Sequence, residues 1–408
     1  MTTRPPNCPY AHSHRHRKSG RGEDGGRAIE HRGDTWHLRS YAAVKQVLRD
    51  GDRVRQGIDA ALGAKAALQT RQRKPVIFQD GAPHREQRAA IARFFTPSAV
   101  AAYGALIEAA SERILAGLRR SGRGDLSAMS MQLAVEVAAQ VVGLTNARRP
   151  GTDRRIAALM SQAHPRTRLG RRLAALHSQL NALRFYLLDV RPAIAARRKK
   201  PREDVISHLL AQGYRDVDIL TECMTYAFAG MVTTREFVGM AAWHLLEDQA
   251  LRRDYLAAQE PERHRILHEI LRLEPVASHL YRRTVAEVRL RHGGETYTVP
   301  AGALLVLDLR AANADPEAVG AEPLALCPQR PLARGVHPFA LSFGDGAHRC
   351  PGAYLAIKES DLFLQQLLRL PVILQRPPRL TWSDQLGSYE LRDVTLELAS
   401  AGGSGGTT

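Results

Sequence analysis

The sequence lacks several features that would place it among membrane or secreted proteins. It holds no run of about 18 consecutive apolar residues, so no membrane-spanning helix is predicted. Its basic N-terminus is not followed by an apolar segment, so a secretory signal is not expected. Only four cysteines occur, and none has CxxC spacing: Cys8, Cys223, Cys327 and Cys350. A disulfide framework is therefore not expected, and a reducing cytoplasm is the predicted compartment.

Acidic residues are also in short supply. The chain of 408 residues has 41 Asp and Glu against 58 Lys and Arg, a formal net charge of +17. Such a balance favours nucleic acid, an acidic surface or an acidic protein as partner. No zinc-finger, helix-turn-helix or aromatic-interleaved basic motif is present, so nucleic acid is not predicted. An acidic protein partner is favoured, and a proteome rich in Arg is the competing explanation.

Long strands are missing as well, and helical periodicity dominates. Apolar residues recur at helical spacing over 98–120, 126–143, 153–163, 171–197 and 203–212, in one long helix over 216–247 with Asp216 as N-cap, and from Pro261 to Leu273. Strand-like pieces are short: Glu287–Arg291, Tyr297–Val299, Leu304–Leu309 and Val394–Leu398. The pattern predicts a mainly α fold with small peripheral β-sheets, in a single domain over 29–400. A disordered basic arm (1–28) and a flexible Gly/Ser tail (401–408) are expected on either side.

The most informative segment is the glycine-rich loop from Phe343 to Gly352, which precedes an apolar helix. Its cysteine, Cys350, lies where the positive end of the helix dipole and unpaired backbone N–H groups favour a thiolate. Arg349 and His348 add positive charge beside it. These features predict a thiolate that binds a metal through one axial bond, whereas a lone cysteine is otherwise more often a buried core thiol.

The loop residues Phe343, Gly346, His348, Cys350 and Gly352 resemble the haem-binding loop of the cytochrome P-450 superfamily. The resemblance covers roughly residues 30 to 400. It implies the cytochrome P-450 fold, a triangular helical prism that encloses haem b, with the Cys350 thiolate as the axial ligand of the iron. It also implies a bacterial monooxygenase that activates dioxygen with electrons derived from NAD(P)H and delivered by a separate protein.

Two further segments carry cations and an ion pair. A helix places His84 and Arg88 one turn apart on one face, where two donors suit a carboxylate. By resemblance they bind the haem propionates together with Arg282 and His348, and Arg283 is an alternative to Arg282. The Glu269 and Arg272 side chains, three residues apart, can pair on a helix. The resemblance implies that this pair is buried and is completed by Arg330, in a structural role.

The middle of the long helix reads Ala229-Gly230-Met231-Val232-Thr233-Thr234 and resembles the family's oxygen-binding segment. By resemblance, Ala229 and Gly230 let the haem approach, and Thr233, followed by Thr234, handles oxygen; each hydroxyl can also simply bond back to its own helix. Val232 stands where the family has an acid, so the usual route for protons is in doubt. Glu236 is the predicted substitute, and its alternative is an ion pair with Arg235. A hydroxyl or amine of the substrate is a third source.

The resemblance implies an acidic ferredoxin and its reductase as partners of a monomeric enzyme. A basic patch of Arg71, Arg73, Lys74, Arg85 and Arg349 is expected to steer that ferredoxin. A small organic substrate is expected in a pocket formed by Phe228, Met231, Val232, Val276, Ser278, Leu280 and Tyr389. Arg166, Arg168, Arg171 and Arg172 either meet an acidic or carrier-bound substrate or form a solvated face. The predicted function is hydroxylation or oxidative coupling in specialised biosynthesis, and a haem-binding sensor or scaffold without turnover is the alternative.

Overall fold

The computed structural model describes residues 17–20, 26–57, 74–160, 167–383 and 387–399. Helices dominate these residues, as predicted. In chain order they are α1 Tyr41–Arg49, α2 Gly81–Ala92, α3 Pro97–Ala102, α4 Gly104–Ser121, α5 Leu126–Val142, α6 Thr152–Met160, α7 Arg168–Phe185, α8 Arg191–Lys199, α9 Val205–Ala211, α10 Asp216–Tyr226, α11 Thr233–Glu247, α12 Gln249–Ala257, α13 Glu260–Leu273, α14 Leu309–Ala312, α15 Pro316–Val319 and α16 Ala353–Leu368. Within this part of the chain no single helix has both the length and the apolar character to cross a bilayer. Two consecutive segments, Gly81–Ala102 and Gly104–Ser121, meet those criteria only when taken together, and the chain bends by 67° between them.

The strands form small sheets. They are β1 Ile29–Arg32, β2 Thr35–Leu38, β3 Val54–Gln56, β4 Arg123–Asp125, β5 His279–Thr284, β6 Val288–His292, β7 Glu295–Val299, β8 Leu304–Asp308, β9 Val372–Leu374, β10 Arg379–Ser383, β11 Ser388–Arg392 and β12 Thr395–Leu398. The largest sheet has the order β1-β2-β8-β5-β3, with β2 and β8 parallel. The mainly α class with small sheets is confirmed, and the four predicted strands lie within two residues of their predicted ends.

The long helix predicted over 216–247 is continuous but not uniform. A π-helical segment, Ala227–Val232, separates α10 from α11. The residue preceding the helix is Arg215, and Asp216 is its first helical residue, so the predicted N-cap is off by one position. A π segment inserts an extra residue per turn and turns the neighbouring side chains to new directions. Here Ala229 is exposed while Ala227 and Met231 are fully buried.

Helices α4, α5, α11 and α16 pack on one another in the main apolar core. The second half of the long helix therefore lies directly against the helix that follows the cysteine loop. A smaller apolar cluster lies between α1 and the five-stranded sheet. Together the two clusters fix the cysteine loop between the helical core and α1.

Part of the predicted disordered arm is instead bound to the folded domain. Arg17 donates hydrogen bonds to the Leu273 carbonyl at 2.6 Å and to the Arg310 carbonyl at 2.7 Å. Ser19 is fully buried, where its hydroxyl donates to Glu274 and its carbonyl accepts from Arg310. Residues 17–20 therefore form an ordered segment, here called the latch, that hydrogen-bonds to the buried side chains of Glu274 and Arg310. Hydrophobic periodicity gives no sign of these long-range contacts. The remainder of the arm, apart from 26–28, and the tail at 401–408 lie outside the described residues.

Removing the latch should destabilise the protein. Deletion of residues 1–20 leaves Glu274 and Arg310 buried without these partners, at a cost of about 1–3 kcal/mol for each group. Deletion of residues 1–15 retains Arg17 and Ser19 and serves as the control. We expect urea unfolding to show a lower free energy of unfolding for the longer deletion alone. Equal stability of the two deletions would contradict the assignment of the latch.

Candidate active site

The cysteine loop is braced by its own backbone and by α1. The Cys350 amide donates to the Phe343 carbonyl at 2.8 Å and closes the loop. Gly346 has a positive φ of +65°, and a Cβ at this position would lie 2.2 Å from the Leu48 carbonyl oxygen, so only glycine fits. Asp345 accepts from the Gly346 amide at 2.7 Å and pairs with Arg49 at 2.9 Å. The loop conformation thus depends on contacts with the end of α1.

The Cys350 thiol lies at the N-terminal end of α16. Burial raises its pKa, while a hydrogen bond from the Gly352 N–H and the guanidinium groups of Arg88 and Arg349 act in the opposite direction. Arg88 also donates to the Arg349 carbonyl. A metal cation at the sulfur would supply the additional positive charge that the thiolate needs in this buried place.

Arginine and histidine side chains from three separate segments meet near this thiol. The rings of His84 and His348 are stacked, with centroids 3.9 Å apart. Burial lowers the pKa of His348 to about 4 and also lowers that of His84, and Arg282 contributes to both shifts. Asp80 lies 3.3 Å from Nε2 of His348. The structure therefore brings together the four residues predicted to bind propionates.

Arg282 is the clearest sign that this cluster is built for an anion. Its side chain is 6% exposed, and burial lowers its pKa to about 10. Its hydrogen-bond acceptors among the described residues are neutral, Gln56 Oε1 and the Tyr281 carbonyl, each at 2.8 Å. Asp80 is near enough to act on Arg282 through space, but no carboxylate among the described residues accepts a hydrogen bond from it. A buried guanidinium without such a bond is costly, so a ligand carboxylate fits here. Arg283, the alternative, is exposed and donates to the Gly302 carbonyl.

A second observation fits a large ligand in the same place. The hydroxyl of Tyr226, on α10, is buried and has no hydrogen-bond partner in the described part of the chain. It lies close enough to Arg88 to affect the pKa of that side chain. Arg88 thus connects the long helix with the cysteine loop, which is where a haem with two propionates would lie. The Cys350 sulfur fits the iron of a haem, and the neighbouring basic side chains fit its two propionates.

The predicted structural triad is assembled as a buried ion network. The Glu269 carboxylate pairs with Arg272 at 2.7 Å and with Arg330 at 3.0 Å. All three side chains are buried, and Arg272 is 0% exposed. The two arginines share this one carboxylate, and their other N–H groups donate to backbone carbonyls. None of these side chains is placed to react.

The segment 229–234, which is predicted to bind oxygen, has hydroxyl groups that are already hydrogen-bonded. The Thr233 hydroxyl donates to the Ala229 carbonyl at 2.7 Å, and Thr234 donates to the Gly230 carbonyl at 2.8 Å. Each hydroxyl thus bonds back to its own helix. A Cβ at Gly230 would meet nothing within 4 Å, so open space lies beside this turn. Val232 is 4% exposed and brings no polar atom to the segment.

The proposal that Glu236 replaces the missing acid does not fit the geometry. Glu236 is 2% exposed, and Oε1 accepts from Arg235 Nε at 2.8 Å. Its other oxygen, Oε2, accepts from the Leu391 amide at 2.7 Å, and Arg392 lies 3.3 Å from Oε1. Both carboxylate oxygens therefore already accept hydrogen bonds, so neither is free for relaying protons. The alternative pairing with Arg235 is present, although it is buried and not at the surface.

The residues predicted to line a substrate pocket differ in burial. Met231 is 0% exposed and belongs to the apolar core, about opposite Ala229 on the helix. Ser278 is fully buried, and Tyr389 is buried with its hydroxyl donating to the Glu274 carbonyl at 3.3 Å. Val276 is 8% exposed, while Phe228 and Leu280 are half-buried. The assignment of these residues to a pocket stays a prediction.

The structure adds a titratable group that the sequence reasoning missed. Glu359 lies on α16, nine residues after Cys350, and is 4% exposed. Burial raises the pKa of Glu359 to about 8, and the Thr234 hydroxyl lies within hydrogen-bonding reach of its carboxyl group. Its Oε2 atom has no hydrogen-bond partner among the described residues. A single Glu within an otherwise apolar helix face was the available signal.

Comparison with known proteins gives a consistent result. The family model described as Cytochrome P-450 matches residues 264–370. Cytochrome P-450 130 of Mycobacterium tuberculosis is 27% identical over 381 residues, which cover 89% of this chain and 88% of that protein. The Vitamin D(3) 25-hydroxylase of Pseudonocardia autotrophica is 27% identical over 352 residues, which cover 82% and 80%. The structure of HmtN, a post-tailoring hydroxylase involved in himastatin biosynthesis, matches with a TM-score of 0.72 at 21% identity, over 93% of this chain and 95% of that one.

The two adjacent arginines of β5 provide a test of the anion site. Arg282→Gln removes the buried charge while keeping a polar side chain, and we expect haem to leave the protein about ten- to hundredfold faster, because a charged hydrogen bond is lost. Arg283→Gln changes an exposed neighbour and should leave the rate unchanged. The measurement is the transfer of haem from the loaded protein to an excess of a haem-free acceptor. The same rate in both variants would contradict the role of Arg282.

Proposed function

From the premise that this chain belongs to the cytochrome P-450 family, we propose that it hydroxylates or oxidatively couples a small organic molecule in specialised biosynthesis. The chain is a monooxygenase of that family. The observation that carries the proposal is the meeting of the Cys350 thiol with buried cations that have no protein carboxylate to neutralise them, apart from Asp80. The biosynthetic role is supported by the fold shared with HmtN.

The residues that would hold the haem follow from the site. Cys350 would bind the iron, His84, Arg88, Arg282 and His348 would hold the propionates, and the loop from Phe343 to Gly352 would lie against the ring, with Ala229 and Gly230 on the other face. When bound, haem supplies the redox chemistry by which dioxygen is cleaved and one oxygen atom reaches the substrate. The thiolate ligand favours that cleavage. The polypeptide positions this group, excludes water and delivers protons.

Glu359 is our candidate for the proton donor that Val232 cannot provide. With a pKa raised by burial to about 8, its carboxyl group is protonated at neutral pH. It can then donate to the Thr234 hydroxyl, which itself donates to the Gly230 carbonyl at 2.8 Å. This chain of hydrogen bonds runs from α16 to the segment where oxygen would bind. A buried acid with a pKa close to the operating pH is well suited to general acid catalysis.

An acidic ferredoxin, reduced by its reductase with electrons from NAD(P)H, is the proposed electron donor. Arg85, on α2, and Lys74, which precedes α2, are exposed, and Arg349 of the cysteine loop is partly exposed. A basic surface near the cysteine side would steer an acidic partner. Arg71 and Arg73 of the predicted patch lie outside the described residues. The free thiols Cys223, Cys327 and Cys350 support a reducing cytoplasm as the place of action.

The axial ligand is tested by the carbon monoxide spectrum of the reduced protein. The native protein should absorb near the wavelength typical of a thiolate-bound haem, and Cys350→Ala should lose that band. Cys223→Ala removes another buried thiol, on α10, and should retain it. Persistence of the band in Cys350→Ala would refute the proposed site. The native protein could also show a normal band but form no product from candidate substrates in a ferredoxin-supported assay. That result would favour the alternative function, a haem-binding sensor or scaffold, which the absence of an acid at Val232 first suggested.

The proton route is tested by Glu359→Gln, which keeps the shape but cannot donate an acidic proton. We expect less product per NAD(P)H consumed and more peroxide, because oxygen is reduced without being cleaved productively. The wild-type ratio should fall as the pH rises through about 8, where Glu359 loses its proton, and the variant should lack this step.

Glu236→Gln is the matched control for this test, since it changes the other buried carboxylate near the same helix. Both variants are compared at equal haem content and at a temperature where both are folded. Normal product yield from Glu359→Gln, or a loss confined to Glu236→Gln, would rule out the route through Thr234. Protonation by the substrate would then be the better account.

A further inference from the structure

Helix α7 carries an unusual concentration of exposed leucines. Leu169, Leu173, Leu176, Leu180 and Leu183 are 68%, 57%, 53%, 49% and 51% exposed. In the described part of the chain the other large exposed apolar side chains are Val285, Tyr354 and Ile373, each on a different element. Exposed leucines that occur singly need no explanation, but a contiguous row marks an interaction surface.

The spacing of these leucines is that of a helical interface. They follow one another at intervals of four, three, four and three residues, which corresponds to heptad positions d, a, d, a and d. At about 100° per residue they occupy a sector of about 80°. So narrow a stripe is typical of a seam between two helices, whereas a helix that lies in a bilayer surface has a wider apolar face.

Among the described residues nothing covers the stripe. The first turns of α7 are exposed on most sides, Ser178 opposite the stripe included, and the helix is anchored near its C-terminal end, where Phe185 is fully buried and Asn181 donates to the Ala158 carbonyl of α6 at 3.1 Å. The leucines lie on the side of α7 away from these two anchoring residues. The C-terminal end of α7 continues through a π segment, Tyr186–Val190, that packs on α10. A partner bound to the stripe would therefore be connected, through this π segment, to the long helix that contains the predicted oxygen-binding residues.

The charges beside the seam indicate the nature of the partner. The flanking positions e and g hold Gly170, Arg172, His177, Gln179 and Arg184, and no Asp or Glu occurs between 168 and 185. Charges at e and g select the partner of a helical seam. A second copy of α7 would bring no carboxylate to face these basic side chains. The segments of this chain outside the described residues are short of acidic residues too: of the two longest, 1–16 has none and 58–73 has Asp59 alone.

We propose that α7 is a docking helix for an acidic amphipathic helix of a separate protein, with leucines in the seam and carboxylates facing Arg172 and Arg184. Arg172 was expected either to meet an acidic or carrier-bound substrate or to belong to a solvated face, and the exposed stripe beside it leads to a third assignment, an acidic protein partner. This surface is independent of the haem site, so its failure would leave the proposed monooxygenase function intact.

Two designed peptides of three heptads serve as probes. Both have Leu at a and d; one has Glu and the other Lys at every e and g position. Binding to the haem-loaded full chain is followed by fluorescence anisotropy of the labelled peptide. We expect the acidic peptide to bind and the basic peptide not to bind. Leu176→Glu should weaken binding at least about tenfold, since it places a charge in the centre of the seam. Ile373→Glu, an equally exposed site on β9, should have no effect.

Charge reversal distinguishes a seam from unspecific attraction. The double variant Arg172→Glu with Arg184→Glu should lose the acidic peptide and gain the basic one. All variants change exposed side chains and are checked for the native thermal midpoint and carbon monoxide spectrum. Failure of the acidic peptide to bind, or equal binding of both peptides, would overturn the proposal. Two other results would also overturn it: a dimer of the chain in sedimentation that Leu176→Glu dissolves, or binding to phosphatidylglycerol vesicles that outcompetes the acidic peptide.

Discussion

The rest of the site depends on the buried carboxylate of Glu269. It holds Arg272 and Arg330 and accepts from the Cys327 amide at 2.9 Å. Arg272 in turn donates to the Asn313 carbonyl at 2.8 Å, and Asn313 accepts from the Leu341 amide at 2.9 Å. Leu341 lies two residues before Phe343, whose carbonyl closes the cysteine loop. Removing one partner of such a network costs about 3–5 kcal/mol, so a single carboxylate connects α13 to the position of the thiol.

A second constraint is the excess of buried positive charge beside that loop. His84, Arg88, Arg282 and His348 crowd together, and their pKa values are all lowered, chiefly by burial. Such an arrangement destabilises the protein on its own and is relieved by a ligand with negative groups. Binding of that ligand therefore stabilises the fold by mass action as well as completing the site. Of these four groups, Arg88 and Arg282 contribute to the formal net charge that first suggested an acidic partner, since that charge counts histidine as neutral.

Sequence reasoning located what is encoded locally. The glycine loop, the Glu269 and Arg272 spacing and the one-turn separation of His84 and Arg88 are short patterns whose geometry follows from a turn or a helix. It missed what depends on distant contacts. The latch of Arg17 and Ser19 pairs with groups more than 250 residues away in the chain. The burial of Met231 depends on a π segment, which has no reliable sequence signal, and the sheet strand β5 was missed because Arg282 and Arg283 break its apolar alternation.

The positions of Cys350 and Glu359 along one helix support the proton source that we propose for a chain with Val232. Along α16 the thiol lies at the positive end of the helix dipole, where the ionised form is favoured. Glu359 lies about 9 Å further along the same helix from Ala353, beyond the reach of that end and surrounded by apolar side chains. Burial therefore favours the protonated form of Glu359, whereas both oxygens of Glu236 accept hydrogen bonds, from Arg235 and from the Leu391 amide. In the proton route that we propose, Glu359 and not Glu236 would serve as the acid, and a valine at position 232 on the facing helix is compatible with that route.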